Sequence, residues 1–157
     1  MPFDVNHALA VAFATNNRIN RYLIENVPAE VWSMPMPNKK GRKIAAIVAH
    51  VHNVRLMWLK AAGRPLDKLE KLEGDTCAPK DAIKALEASA KAIGEMLDAS
   101  LASDGKIKGF KPDVASFFAY LIAHDAHHRG QIMMLARQLG SPVSQSVGYG
   151  LWEWGTR

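Results

Sequence analysis

The segment His124-Asp125-Ala126-His127-His128-Arg129-Gly130-Gln131 packs three imidazoles into five residues. It lies inside a stretch that otherwise reads as a buried helix. His124 and His128 are four residues apart, so on a helix they stand one above the other on one face. Imidazole is the commonest metal-binding side chain. A helical His-x-x-x-His pair supplies two ligands from one rigid element, and a zinc-type site needs at least one more. His50 falls on a seam with Ile47 and Val54, so it is expected to point inward and supply the third ligand. His52 lies roughly 200° around the same helix and cannot share that direction. Three imidazoles leave a coordination position open for water or substrate.

The neighbouring residues take other expected roles. His127 is rotated about 100° from His128, so it should stand beside the site or at an interface rather than ligate. Gln131 is expected to orient a ligand through its amide. Asp125 should be a surface charge, with Arg129 pairing to it or to another acid. Gly130 should let a neighbouring backbone approach closely. The metalloprotease pattern HExxH is not present, because Asp125 occupies the position of its glutamate. The competing reading is that the inward histidines are hydrogen-bonded core residues. His7 and His52 read as ordinary surface or packing residues, Cys77 as incidental, and Met133, Met134 and the tryptophans as packing.

Four long helical patterns must position these side chains. The first runs from about Val5 to Asn26, with Asp4 as N-cap and Pro28 as its stop. Ser33 to Asn38 is punctuated by prolines and cannot be helical. The second runs from about Lys43 to Ala62, with Ile47, His50, Val54, Met57 and Ala61 as its core stripe. A long polar crossover follows from Arg64 to Ala78, with one helical turn expected around Leu66 to Leu72. The third helix spans about Pro79 to Ser103. The fourth spans about Val114 to Leu139, capped by Asp113, with the stripe Phe117, Leu121, His124, His128, Gln131 and Leu135. No segment reads as a strand. Four helices of roughly twenty residues imply an all-α four-helix bundle with a long crossover connection and an irregular C-terminal tail. That tail, Ser141 to Arg157, should pack Trp152 and Trp154 across one end without a fifth helix.

The composition bounds the rest. With 157 residues, 48% hydrophobic and 22% charged, the chain is expected to form one domain over 1–157. No apolar run approaches the length of a membrane span, and the N-terminus lacks the pattern of a secretory signal. A single cysteine makes no internal disulfide, which suits a reducing cytoplasm. The net charge of +5 comes partly from two short runs, Lys39-Lys40-Gly41-Arg42-Lys43 and Lys106 to Lys111. They read as solvated loops. No recognition-helix pattern or aromatic-basic platform points to nucleic acid.

Beyond these readings, the chain resembles the DinB family of damage-inducible metalloproteins. The resemblance rests on Ala49-His50-Val51-His52-Asn53-Val54-Arg55 with Trp58 eight residues after His50, on the block His124 to Gln131, and on Leu139-Gly140 and Leu151-Trp152-Glu153-Trp154-Gly155. It implies an up-down-down-up bundle, often a homodimer, with a histidine triad for zinc, nickel or iron. The matching positions are His50, His124 and His128. It further implies a thiol S-transferase that uses a low-molecular-weight thiol such as bacillithiol or mycothiol on a small-molecule substrate. The alternatives are a metal-dependent hydrolase, which would lack a carboxylate base on the seam, and a non-enzymatic metal-binding stress-response module.

Overall fold

A computed structural model describes residues 2–36 and 40–157. Lys39 of the first basic run, and Pro37 and Asn38 of the proline-punctuated segment, lie outside the described residues. Helix α1 (Val5–Asn26) opens on the Asp4 carboxylate, which accepts from the Asn6 and His7 amides. A four-residue turn, α2 (Ala29–Trp32), follows Pro28. Next come α3 (Ile44–Ala61) and α4 (Pro79–Leu101), the latter with Pro79 at its start, where a missing amide is harmless. Strands β1 (Lys106–Ile107) and β2 (Phe110–Asp113) form an antiparallel hairpin through Lys108 and Gly109. Gly109 has φ +90°, which suits glycine in so tight a turn. Helix α5 (Val114–Gln138) is capped by Asp113, and α6 (Gln145–Gly150) by Ser144. Among the described residues no helix is long and apolar enough to cross a membrane.

The four long helices match the expected spans to within two residues. Four local expectations do not hold. The second basic run is a hairpin. The turn expected from Leu66 to Leu72 shrinks to one closed by the Leu69 amide on the Leu66 carbonyl at 2.8 Å. The tail contains the six-residue α6, because its glycines fall at tolerated positions in a helix too short to be broken by them. Val143, Val147 and Leu151 anchor this tail to the core, and Arg157 lies over the Tyr22 ring at 3.9 Å. Trp152 is 82% exposed and so does not pack as expected.

The helix directions follow from how the core divides. One apolar cluster takes Leu23 and Ile24 of α1, Ile44 to Val51 of α3, Ala82 and Leu86 of α4, and Ile132 and Ala136 of α5. The other takes Phe13, Leu56 and Leu59, Ile93 to Leu97, and Phe117 and Leu121. The C-terminal halves of α1 and α5 thus share an end with the N-terminal halves of α3 and α4. The order is up-down-down-up, and α3 and α4 can be parallel only because the chain between them returns along the bundle. That crossover is clamped to α3. The Asn53 amide bonds both backbone groups of Leu72 at 3.0 Å, and His52 Nε2–H donates to the Glu70 carbonyl at 2.9 Å. Gly74 presses on Ala46, where an added Cβ would stand 2.8 Å from the alanine methyl and 2.9 Å from its Cα.

Between the two clusters lies a buried polar layer of Asn16, Asn17, Asn20, Arg55, Ser89 and Asp125. Arg55 Nη2 meets Asp125 Oδ2 at 2.8 Å, and the same oxygen accepts from Asn16 and Asn20 at 2.7 and 2.8 Å. Arg55 Nη1 donates to Asn17 and to the Leu86 carbonyl, so one ion pair joins all four helices. Asp125 is therefore a core residue, and its expected place on the surface is wrong.

Burial by itself would raise the Asp125 pKa. The Arg55 guanidinium, the nearby His124 ring and the hydrogen bonds from Asn20 and Arg55 outweigh it and hold the carboxyl well below the usual range. A depressed carboxyl pKa adds stability that is complete above the unfolded value of about 4 and is lost as pH falls towards the folded one. Asp125→Asn should thus cost about 3–5 kcal/mol in urea denaturation at pH 7, because it strands a buried guanidinium. It should also flatten the acid side of the stability curve; a loss under about 1 kcal/mol would contradict the ion pair's role. Gly74→Ala should lower stability by about 1–3 kcal/mol through the clash with Ala46, read from the same denaturation curves.

Candidate metal centre

The three expected residues come together. His50 on α3 and His124 and His128 on α5 place a nitrogen from each ring within 4.8 Å of one another. The ring centroids stand 4.5 Å apart for His124 and His128, 4.9 Å for His50 and His128, and 5.4 Å for His50 and His124. His128 is buried, while His50 and His124 are half-buried, so the cluster opens to solvent at the α3–α5 edge.

This placement corrects the phase of both stripes. The buried face of α3 carries Val48, Val51, His52, Arg55 and Leu59, whereas Met57 on the expected stripe is 51% exposed. His52, read as a surface or packing residue, is a packing one: it is 1% exposed and holds the crossover. His50 sits at the rim of the core, where a ligand can reach it. On α5 the buried face is Phe117, Leu121, Asp125, His128, Ile132 and Ala136, and His124 stands at its edge.

The hydrogen bonds prepare these rings to bind. Gln131 Oε1 lies 2.8 Å from His128 Nδ1, and an oxygen there can only accept. The proton therefore sits on Nδ1, and Nε2 presents a bare lone pair. Asp125 Oδ1 stands 3.7 Å from His124 Nδ1, too long for a good hydrogen bond but near enough to favour a proton on that nitrogen. The Nε2 atoms of His124 and His128 then face each other at 3.2 Å. Two nitrogens bound to one tetrahedral ion at about 2.0–2.1 Å lie about 3.3 Å apart. The spacing fits a shared cation.

Burial pushes His50 down to about 4, with further lowering from Arg42 and from His128 and His124. Burial also lowers His128, against the opposing pull of its bond to Gln131. Both rings are neutral at pH 7, the form that binds metal. Imidazole ligands suit zinc, copper, iron and nickel alike.

The residues around the triad divide by role. Gln131 meets His128 Nδ1 with its amide oxygen. His127 is exposed and meets His128 only edge to face, at 5.0 Å between centroids. Arg129 pairs with no carboxylate among the described residues. Its Nη1 donates to the Asn16 and Asn20 side chains, which correct its expected acidic partner. No neighbour lies within 4 Å of a Cβ built at Gly130, so the close approach expected there is not made. Cys77 is buried among core residues, and burial, then Asp81, pushes its thiol pKa up. It has no place in the site.

Sequence reasoning missed the aromatic wall beside the triad. Tyr120 stacks on His124 at 6.0 Å, and the Trp58 indole N–H donates to the Tyr120 hydroxyl at 3.2 Å. Phe110 and Phe117 complete the cluster edge to face. The signal was present in the spacing, since Trp58 stands eight residues after His50 and Tyr120 four before His124, each close to the same helical face.

The DinB family model matches residues 1–154, and the chain belongs to that family. Neither the curated proteins nor the solved structures hold a match to it.

Protein purified without a histidine tag should carry about one divalent ion per chain, and His124→Ala or His128→Ala should empty the site. Full occupancy in both variants would rule out the triad. Gln131→Leu should weaken metal affinity by roughly 10- to 100-fold while leaving the fold intact, measured by chelator competition.

Proposed function

We propose that this DinB-family chain binds one divalent ion through His50, His124 and His128 and acts as a thiol S-transferase, joining a low-molecular-weight thiol to an electrophilic small molecule. The convergence of three imidazoles at a solvent-open edge supports this reading most strongly. A divalent ion there would supply Lewis acidity, lowering the pKa of a thiol that reaches it. The chain's own residues supply the surroundings. Arg42, which acts electrostatically on both His50 and His128, gives a positive rim suited to a carboxylate-bearing thiol. Tyr120 and Trp58 offer an apolar wall on which an electrophile can lie.

The thiol has to come from outside, because Cys77 is buried away from the triad with its Sγ directed at the Ala78 carbonyl. Attack by the thiolate forms one S–C bond, and the electron pair leaves with the displaced group or moves onto an adjacent conjugated atom.

A hydrolase would need a base to take a proton from water. The nearest carboxylate, Asp125, is committed to Arg55, Asn16 and Asn20 through one oxygen and set against His124 through the other. It is not free to act as that base, which favours the thiol reading.

Protein loaded in turn with zinc, nickel and ferrous iron should conjugate at least one thiol from a panel to a model electrophile. His50→Ala should lose at least about 100-fold of that rate. Arg42→Ala should raise KM for carboxylate-bearing thiols roughly fivefold, about 1 kcal/mol, with little change in kcat. Absence of turnover with every metal and thiol would reject the reading, and thiol-independent ester hydrolysis would replace it with the hydrolase.

A further inference from the structure

A different face of α5 carries a second place where chemistry is unmet. Ala126 lies about 200° around the helix from both His124 and His128. With Arg129 and Met133 it faces the tail residues Gly148, Trp152 and Trp154 across a groove of about 360 Å³. That volume suits a small organic molecule.

Charge singles out Arg129 within this groove. The polar layer and its edge hold two guanidiniums, Arg55 and Arg129, against one carboxylate, Asp125. That carboxylate is taken up by Arg55, Asn16 and Asn20. Arg129 makes no ion pair among the described residues, and its hydrogen bonds there all leave from Nη1. Glu153, the acidic residue of the tail, is held by Arg157 at 2.8 Å. A half-buried guanidinium whose nearby carboxylate, Asp125, is bonded to Arg55 instead favours an incoming anion, and its planar edge suits a carboxylate.

The walls specify the rest of the ligand. The indoles of Trp152 and Trp154 are 82% and 37% exposed, an unusual cost for side chains of that size. The space over Gly130 is open, so a flat body can lie along α5 towards the guanidinium. We propose that this groove binds a small aromatic carboxylate, its ring against Trp152 and Trp154 and its carboxylate on the Nη2 edge of Arg129. The site is separate from the triad and does not depend on a metal. Asn16 and Asn20 nevertheless join Arg129 to Asp125, which abuts His124.

Isothermal titration calorimetry with 2-naphthoate, on metal-loaded and chelator-treated protein, tests the assignment. One saturable site per chain is expected, with the same Kd in both preparations and in His124→Ala. Uncharged 2-naphthamide should bind at least about tenfold more weakly. Gly130→Leu, which fills the open space, and Arg129→Met should each weaken 2-naphthoate by at least about tenfold. Should Arg129→Met fail to fold by circular dichroism, Gly130→Leu and the amide comparison still decide. No saturable heat up to about 5 mM would overturn the proposal, as would equal affinity for the amide or unchanged binding in Gly130→Leu. Binding lost in His124→Ala but kept in Gly130→Leu would place the ligand at the triad instead.

Discussion

The buried ion pair between Arg55 and Asp125 is the constraint around which this bundle is arranged. Two charges leave water almost completely, at 1% and 2% exposure, and such burial is costly unless every remaining hydrogen-bonding position is met. Asn16, Asn20, Asn17 and the Leu86 carbonyl meet most of them; Arg55 Nε has no partner among the described residues. The pair contributes less as net stability than as specification. Apolar side chains can slide past one another at little cost, whereas a displaced guanidinium would lose several bonds at once. All four long helices contribute to this network, so their relative heights are fixed together.

The same constraint sets the histidine triad. Asp125 precedes Ala126 and follows His124 on α5, so holding its carboxylate in the core turns His124 to the edge and His128 inward. Its second oxygen faces His124 Nδ1, while Gln131 holds His128 Nδ1 from the other side. The protons are drawn to the outer nitrogens, and the inner ones are left bare at 3.2 Å. Arg55 does the corresponding work on α3. With its side chain locked into the core, His50 lies one and a half turns away at the open rim. The crossover, clamped by His52 and Asn53, keeps α3 parallel to α4 and so keeps His50 on the same edge as the α5 pair.

Much of this was legible in the residues. The four helices could be read from apolar periodicity, caps and proline positions, and their ends fall within two residues of expectation. The triad could be read from the i,i+4 spacing of His124 and His128 and from His50 on another helix. The phase of the helices could not. Arg55 and Asp125 are charged, so a hydrophobic pattern assigns them to the surface and turns each core stripe towards its neighbours. His50 does stand beside the α5 pair, although the reason placed it too deep, and His52 was set aside while it lay in the core. Partners distant in sequence cause this error: a charge belongs inside only when its counter-charge, here 70 residues away, is also there. Asn16 and Asn20, four apart among the apolar residues of α1, were the available hint. The short hairpin and α6 were missed because elements of two to six residues leave too little periodicity to detect.

X-ray absorption at the metal edge of the zinc-loaded protein tests the triad most directly. Three imidazole nitrogens at about 2.0–2.1 Å, with one oxygen donor from solvent, are predicted. His50→Ala should reduce the imidazole count by one. A spectrum without imidazole scattering, or one unchanged in His50→Ala, would contradict a metal centre built from His50, His124 and His128.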